Sequence, residues 1–121
     1  MRVLIVDDQE PFRRAARAVV EMTDGFEVAG EAETGEASVE AARDLQPDLV
    51  LMDVNLPGMD GLEATRQILE DSQGRVVVLM VSTYEADEYA PRAAEVGAAA
   101  YIPKSEFDPD RLSGAWEAAA R

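Results

Sequence analysis

Five short apolar runs, each followed by a segment of helical periodicity, constrain this chain more than any other feature. The first run, over 3–6, is apolar at consecutive positions and stops at Asp7-Asp8, the pattern of a strand buried on both faces. Pro11 suits a first helical turn, where its missing N–H would have no intrahelical partner, and Phe12, Ala16, Val19 and Val20 carry an apolar stripe to about Met22. After the Asp24-Gly25 turn, 26–32 alternates weakly and reads as an edge strand. Thr34 can then cap a helix with Ala37, Ala41 and Leu45 on its inner face. The unit recurs as a strand over 49–52, a helix including 62–69, a strand over 76–81, a helical stretch ending near Gly97 and a strand over 99–102. Asp108-Pro109 opens a last helix, with Leu112, Ala115, Trp116 and Ala119 facing inward. This alternation predicts a parallel sheet covered on both faces, with right-handed crossovers.

Pro91 falls inside the fourth helical stretch, where a proline removes one hydrogen bond and clashes with the preceding turn at a cost of ~3 kcal/mol. A regular helix over 84–96 is therefore not expected. The sequence predicts a short helix over 91–96, with 84–90 irregular or separately helical and quick to exchange its amides.

With 121 residues there is room for one domain, read as 1–121, and 47% apolar residues supply a core. The formal charge of −14 argues against nucleic acid as a direct ligand, since the ten Arg are scattered and Lys occurs once. Zero Cys and zero His exclude disulfides, imidazole or thiolate metal sites, and Ser-His or Cys-His nucleophile pairs. The run over 76–81 is far shorter than the roughly 20 residues of a membrane helix, so no membrane span is expected. The charged start at Asp7 points to an uncleaved, cytoplasmic chain.

In an open parallel sheet, ligands bind outside the carboxyl ends of the strands. There the sequence places Asp7 and Asp8, Asp53, Ser82 and Thr83, and Lys104. Each has a bland reading alone: loop acids, a turn Asp before Pro57-Gly58, an N-cap, a solvated cation. Tyr101, in the last strand, would ordinarily be a packed aromatic. Together they are harder to dismiss, because close carboxylates repel by very roughly 4 kcal/mol per pair at an effective dielectric near 20 unless a cation sits among them. Hard oxygen donors imply Mg²⁺, which commonly shares a phosphate oxygen. The set suits phosphoryl transfer, with Asp53 as nucleophile, the metal and Lys104 neutralising phosphoryl oxygens, and Ser82 donating a hydrogen bond. Relief of repulsion predicts that removing Asp7 or Asp8 leaves the metal-free fold intact or more stable.

The chain resembles, over its whole length, the receiver domain of two-component response regulators. The likeness rests on Val3-Leu4-Ile5-Val6-Asp7-Asp8, Pro47-Asp48-Leu49-Val50-Leu51-Met52-Asp53, Leu56-Pro57-Gly58-Met59-Asp60-Gly61, Val81-Ser82-Thr83 and the stretch from Gly97 to Lys104. It implies a flavodoxin-like (βα)5 fold of strand order 2-1-3-4-5. It implies that Asp7 and Asp8 are the metal pair, with Asp8 a direct ligand. Asp53 would both bind metal and accept phosphate, and the Asn55 backbone carbonyl would be a further ligand. Ser82 and Tyr101 match the switch positions, and Lys104 the phosphate-contacting lysine. The stretch from Ser82 to Tyr89 is similar to receivers joined to a LuxR-type helix-turn-helix output domain. The expected chain is then either a single-domain regulator or one separated from its output.

The function expected is a Mg²⁺-dependent phosphoacceptor switch rather than an enzyme acting on other molecules. Lacking His, it requires a sensor histidine kinase or phosphotransfer protein in trans, and a second copy of the chain is a candidate partner through the fourth helix, fifth strand and fifth helix. The competing reading is a constitutive, phosphorylation-independent interaction module. A metal-dependent phosphatase is disfavoured by Asn55, which stands where such enzymes place a second Asp. A flavin site is disfavoured by Asp7 and Asp8 in the loop a phosphate would occupy.

Overall fold

The computed structural model describes residues 1–83 and 86–119. Strands β1 (Arg2–Val6), β2 (Glu27–Ala32), β3 (Leu49–Met52), β4 (Val77–Ser82) and β5 (Ala100–Pro103) alternate with helices α1 (Glu10–Glu21), α2 (Gly35–Leu45), α3 (Gly61–Ser72), α4 (Ala86–Glu95) and α5 (Pro109–Ala119). A 3-10 turn, Lys104–Glu106, joins β5 to α5. The strands are all parallel in the order β2-β1-β3-β4-β5, so the weakly alternating second strand is an edge, as its sequence predicts.

Period-two alternation in the central strands divides the core. Leu4, Val6, Val50, Met52, Val78 and Met80 point to one face, under α2, α3 and α4. Val3, Ile5, Leu49, Leu51, Leu79 and Val81 point to the other, under α1 and α5 through Ala16, Val20 and Leu112. Both faces being covered explains the unbroken apolar runs. Local chemistry starts three helices. Thr34 Oγ1 accepts the Ala37 N–H at 3.0 Å, Asp60 Oδ1 the Glu63 N–H at 2.9 Å, and Asp108 Oδ1 the Arg111 N–H at 2.8 Å. Pro11 occupies the first turn of α1.

Register brings the strand ends level. Val6 lies opposite Met52, Met52 opposite Met80, and Ser82 opposite Pro103. The next residues, Asp7, Asp53 and Lys104, therefore emerge at one edge.

The fourth helix corrects the sequence reading. It runs through Pro91 from Ala86 to Glu95, so 86–90 is helical and continuous with 91–95, while 84–85 lies outside the described residues. Tertiary packing outweighs the local penalty: Ala93 is buried, and Tyr89 and Val96 pack beside it on the core, giving the helix an i, i+4, i+7 inner stripe. Pro91 itself lies on the exposed face, so its ring displaces nothing in the core. The proline cost should still be measurable. Pro91→Ala is expected to raise stability by about 1–3 kcal/mol in urea denaturation, and an unchanged or lower midpoint would show that the proline is not strained in this helix.

Candidate functional site

The carboxyl edge of the sheet gathers three acids and the chain's single lysine. One carboxylate oxygen from each of Asp7, Asp8 and Asp53 lies within 4.8 Å of the others. Asp7 is fully buried, Asp53 is 6% exposed and Asp8 faces solvent. Lys104 Nζ stands 2.7 Å from Asp7 Oδ2 and 4.0 Å from Asp53 Oδ2. Asp7 Oδ1 accepts the Gln9 N–H at 2.8 Å, whereas Oδ2, though close to Lys104, has no aligned hydrogen bond. A buried carboxylate oxygen with unused acceptor capacity, beside two further carboxylates, fits a hard divalent cation.

Backbone geometry holds Asp53 in place. Its N–H donates to the Val6 carbonyl at 3.0 Å, tying β3 to β1 at the site itself. The following loop folds back so closely that Gly61 N–H donates to the Val54 carbonyl at 2.8 Å, and a Cβ on Gly61 would lie 1.9 Å from the Asp53 carbonyl oxygen. Glycine is required there by close approach. Burial, and then the charge of Asp7, push the Asp53 carboxyl up from 3.8 to about 6, with Asp8 adding to the rise. Lys104 and the Asn55 N–H oppose it without cancelling it.

The remaining expected residues surround this centre. Ser82 is fully buried at the end of β4, and Thr83, the next residue, is exposed. Tyr101 on β5 is half-buried against the core beneath α4. Asn55 sits on the exposed rim of the loop after β3. Asp7 and Asp8 are not equivalent. Relief of repulsion applies cleanly to Asp8, whereas removing Asp7 also takes the near partner from a lysine that is only 14% exposed in its side chain.

Two residues of this neighbourhood escape sequence reasoning. Arg13, buried in α1, donates from Nη1 to the Asp7 carbonyl at 2.8 Å and pairs with Glu31 and Glu33, each at 3.1 Å. Its signal is a cation at the i, i+3, i+7 positions shared with Ala16 and Val20. Phe12 is, by sequence, one more stripe position, yet its ring centroid is 4.3 Å from Lys104 Nζ. A separate cleft of about 460 Å³ opens between α2 and α3 at the opposite end of the sheet, beside Arg43, Asp48 and Arg75, away from the acids.

The response regulator receiver domain family matches residues 3–117. The chain belongs to that family. This receiver domain is 43% identical over 104 residues to the response regulator GacA of Pseudomonas viridiflava, covering 86% of this chain and 48% of that protein. It is 39% identical over 119 residues to the nitrate/nitrite response regulator protein NarL of Escherichia coli (strain K12), covering 98% and 54%. The chain thus spans about half the length of these curated relatives. Among solved structures, a LuxR-family two-component response regulator from Aurantimonas sp. SI85-9A1 superposes with a TM-score of 0.88 at 35% identity, covering 99% of this chain and 86% of that one. The response regulator domain of Thermotoga maritima CheB gives 0.86 at 28%, covering 100% and 97%. The receiver's flavodoxin-like order, expected from resemblance, is the observed one. No helix among its described residues is long and apolar enough to cross a membrane.

The raised Asp53 carboxyl has a stability consequence of definite sign. An acid whose folded value lies above its unfolded value favours folding below the unfolded value and loses that contribution as pH rises through the folded one. A rise from 3.8 to about 6 corresponds to about 3 kcal/mol. In metal-free buffer, Asp53→Asn should therefore be more stable than wild type by up to about 3 kcal/mol above pH 7, with the difference shrinking through pH 6 to 4 and vanishing below it. Urea titrations across that range check this, and a pH-independent difference would refute it.

Proposed function

We propose that this receiver is a phosphorylation-activated switch that accepts a phosphoryl group on Asp53 from a phosphohistidine in a separate protein, with Mg²⁺ bound. The observation that carries the reading is the buried Asp53 carboxylate beside Asp7, Asp8 and the single Lys104 at one edge of the sheet. Asp8, Asp7, Asp53 and the Asn55 backbone carbonyl would hold the ion, which when bound supplies charge neutralisation for the crowded acids and the phosphoryl oxygens.

The chain's own residues divide the remaining work. An Asp53 carboxylate oxygen attacks phosphorus, and the P–N bond of the donor breaks with its electron pair passing to the imidazole nitrogen, which takes up a proton. Burial strips water from the nucleophile, while the link from its N–H to the Val6 carbonyl fixes its approach. Lys104 turns from Asp7 toward the new phosphoryl oxygens, and Ser82, with Thr83 at the rim, donates hydrogen bonds to them. The acyl phosphate carries more negative charge than the carboxylate it replaces, so the site depends on Lys104 and the bound ion to offset it.

The donor is a sensor histidine kinase or a phosphotransfer protein, since the chain has no His of its own. Drawing Ser82 toward the phosphoryl group opens space that Tyr101 fills, and this biases the face made by α4, β5 and α5, through which two copies pair. Kinship with GacA and NarL supports a signalling rather than an enzymatic output, in the cytoplasm, where a kinase domain can reach Asp53.

Mass spectrometry after incubation with Mg²⁺ and acetyl phosphate should find one acyl phosphate, on Asp53, that is absent with EDTA and absent in Asp53→Asn. Stoichiometric labelling of that variant at another residue would remove Asp53 from the role. Failure of the wild type to label would favour a constitutive interaction module on the same fold. Ser82→Ala should still label, but without the chemical-shift changes along α4 and β5 that follow phosphorylation in wild type. Full retention of those changes would break the proposed coupling.

A further inference from the structure

We infer that Phe12 is a positioning residue for Lys104, a π-face against which the lysine ammonium is held both before and after phosphoryl transfer. This rests on the phosphoacceptor reading of the same site. Lys104 follows β5 directly, and its Nζ lies 4.3 Å from the Phe12 ring centroid while also 2.7 Å from Asp7 Oδ2 and 4.0 Å from Asp53 Oδ2. An ammonium within about 6 Å of a ring centroid is attracted by the ring's quadrupole, more strongly when shielded from water. With its side chain 14% exposed, Lys104 meets that condition.

The ring is itself braced. Phe12 sits in the first turn of α1, and Phe107, one residue past the turn that carries Lys104, packs on it with centroids 6.3 Å apart at 46°. Both rings join the core between the sheet, α1 and α5. The segment that presents the lysine thus also supports the surface the lysine rests on. A ring face suits this task better than another acid would. It attracts the ammonium without adding to the repulsion among Asp7, Asp8 and Asp53, and the attraction is broad. The ammonium can pivot from Asp7 toward a phosphoryl group on Asp53 without leaving the ring. A flexible lysine would otherwise lose more side-chain freedom on each approach.

A double-mutant cycle tests the inference with acetyl phosphate as donor and saturating Mg²⁺. Phe12→Leu, which keeps an apolar side chain but removes the π-face, should slow Asp53 labelling by about twofold to tenfold. Phe12→Tyr should keep the wild-type rate. In a Lys104→Ala background, Phe12→Leu should have no further effect, because its action runs through the lysine. An equal loss in both backgrounds, or no loss in the first, would overturn the inference. Nuclear magnetic resonance of the unphosphorylated protein supplies a readout independent of phosphoryl transfer. The Lys104 methylene protons should be displaced upfield by the ring in wild type and Phe12→Tyr, and should return to ordinary positions in Phe12→Leu. If wild type fails to label, the phosphoacceptor reading falls, and these shifts still decide whether the ring holds the lysine: unchanged shifts in Phe12→Leu would overturn that placement.

Discussion

Negative charge is concentrated where the fold can least easily dissipate it. Asp7 is fully buried and Asp53 nearly so, their carboxylates lie close to each other and to Asp8, and one lysine stands beside the two buried acids. In water such acids would drift apart. Here they cannot, because each leaves the end of a paired parallel strand and the Asp53 N–H is bonded to the Val6 carbonyl. The upward displacement of the Asp53 carboxyl is the direct expression of that confinement. A site confined in this way is destabilised by its own charge, so any removal of charge from Asp53 changes the stability of the surrounding structure as well as its chemistry.

That confinement depends on packing far from the acids. Alternate residues of β1, β3 and β4 fill two separate cores, so a slip of one residue in a pairing would turn a strand's apolar set to the wrong face, and a slip between β1 and β3 would also take Asp7 out of step with Asp53. Around the site, polar supports bind the backbone rather than the reactive groups. Arg13 holds the Asp7 carbonyl while reaching Glu31 in the edge strand β2 and Glu33 just past its end, and Gly61 lets the loop after β3 close against Asp53. These contacts fix the backbone that presents Asp7 and Asp53 without occupying their carboxylate oxygens.

The proposed output side is organised differently. α4 keeps a proline in its middle and retains its helical form through Tyr89, Ala93 and Val96, a narrow inner face beside Tyr101. Its order rests on tertiary contacts more than on intrinsic helix propensity, which makes it a segment whose stability a change beneath it can alter. Arg92 lies 5.3 Å from the Tyr89 ring centroid, one further contact that ties the helix surface together.

Much of this is legible from order along the chain. Alternating apolar runs and helical stripes specify a covered parallel sheet, and the rule that ligands lie beyond the carboxyl ends of such strands singles out Asp7, Asp8, Asp53, Ser82 and Lys104 before any folding is considered. Caps at Thr34 and Asp108 are equally local, since a side-chain oxygen three residues before an N–H needs nothing else. Chain order could not decide energies that depend on distant neighbours. Local propensity argues for breaking the helix at Pro91, and burial of Ala93 overrides it. Asp7 and Asp8 are adjacent and chemically identical, yet only their surroundings make one a buried partner of Lys104 and the other an exposed acid. Phe12 and Arg13 read as one more apolar position and one more cation until α1 is laid against the ends of β1 and β5. Solvation and through-space charge are set by what packs nearby, and that information exists only once the chain has folded.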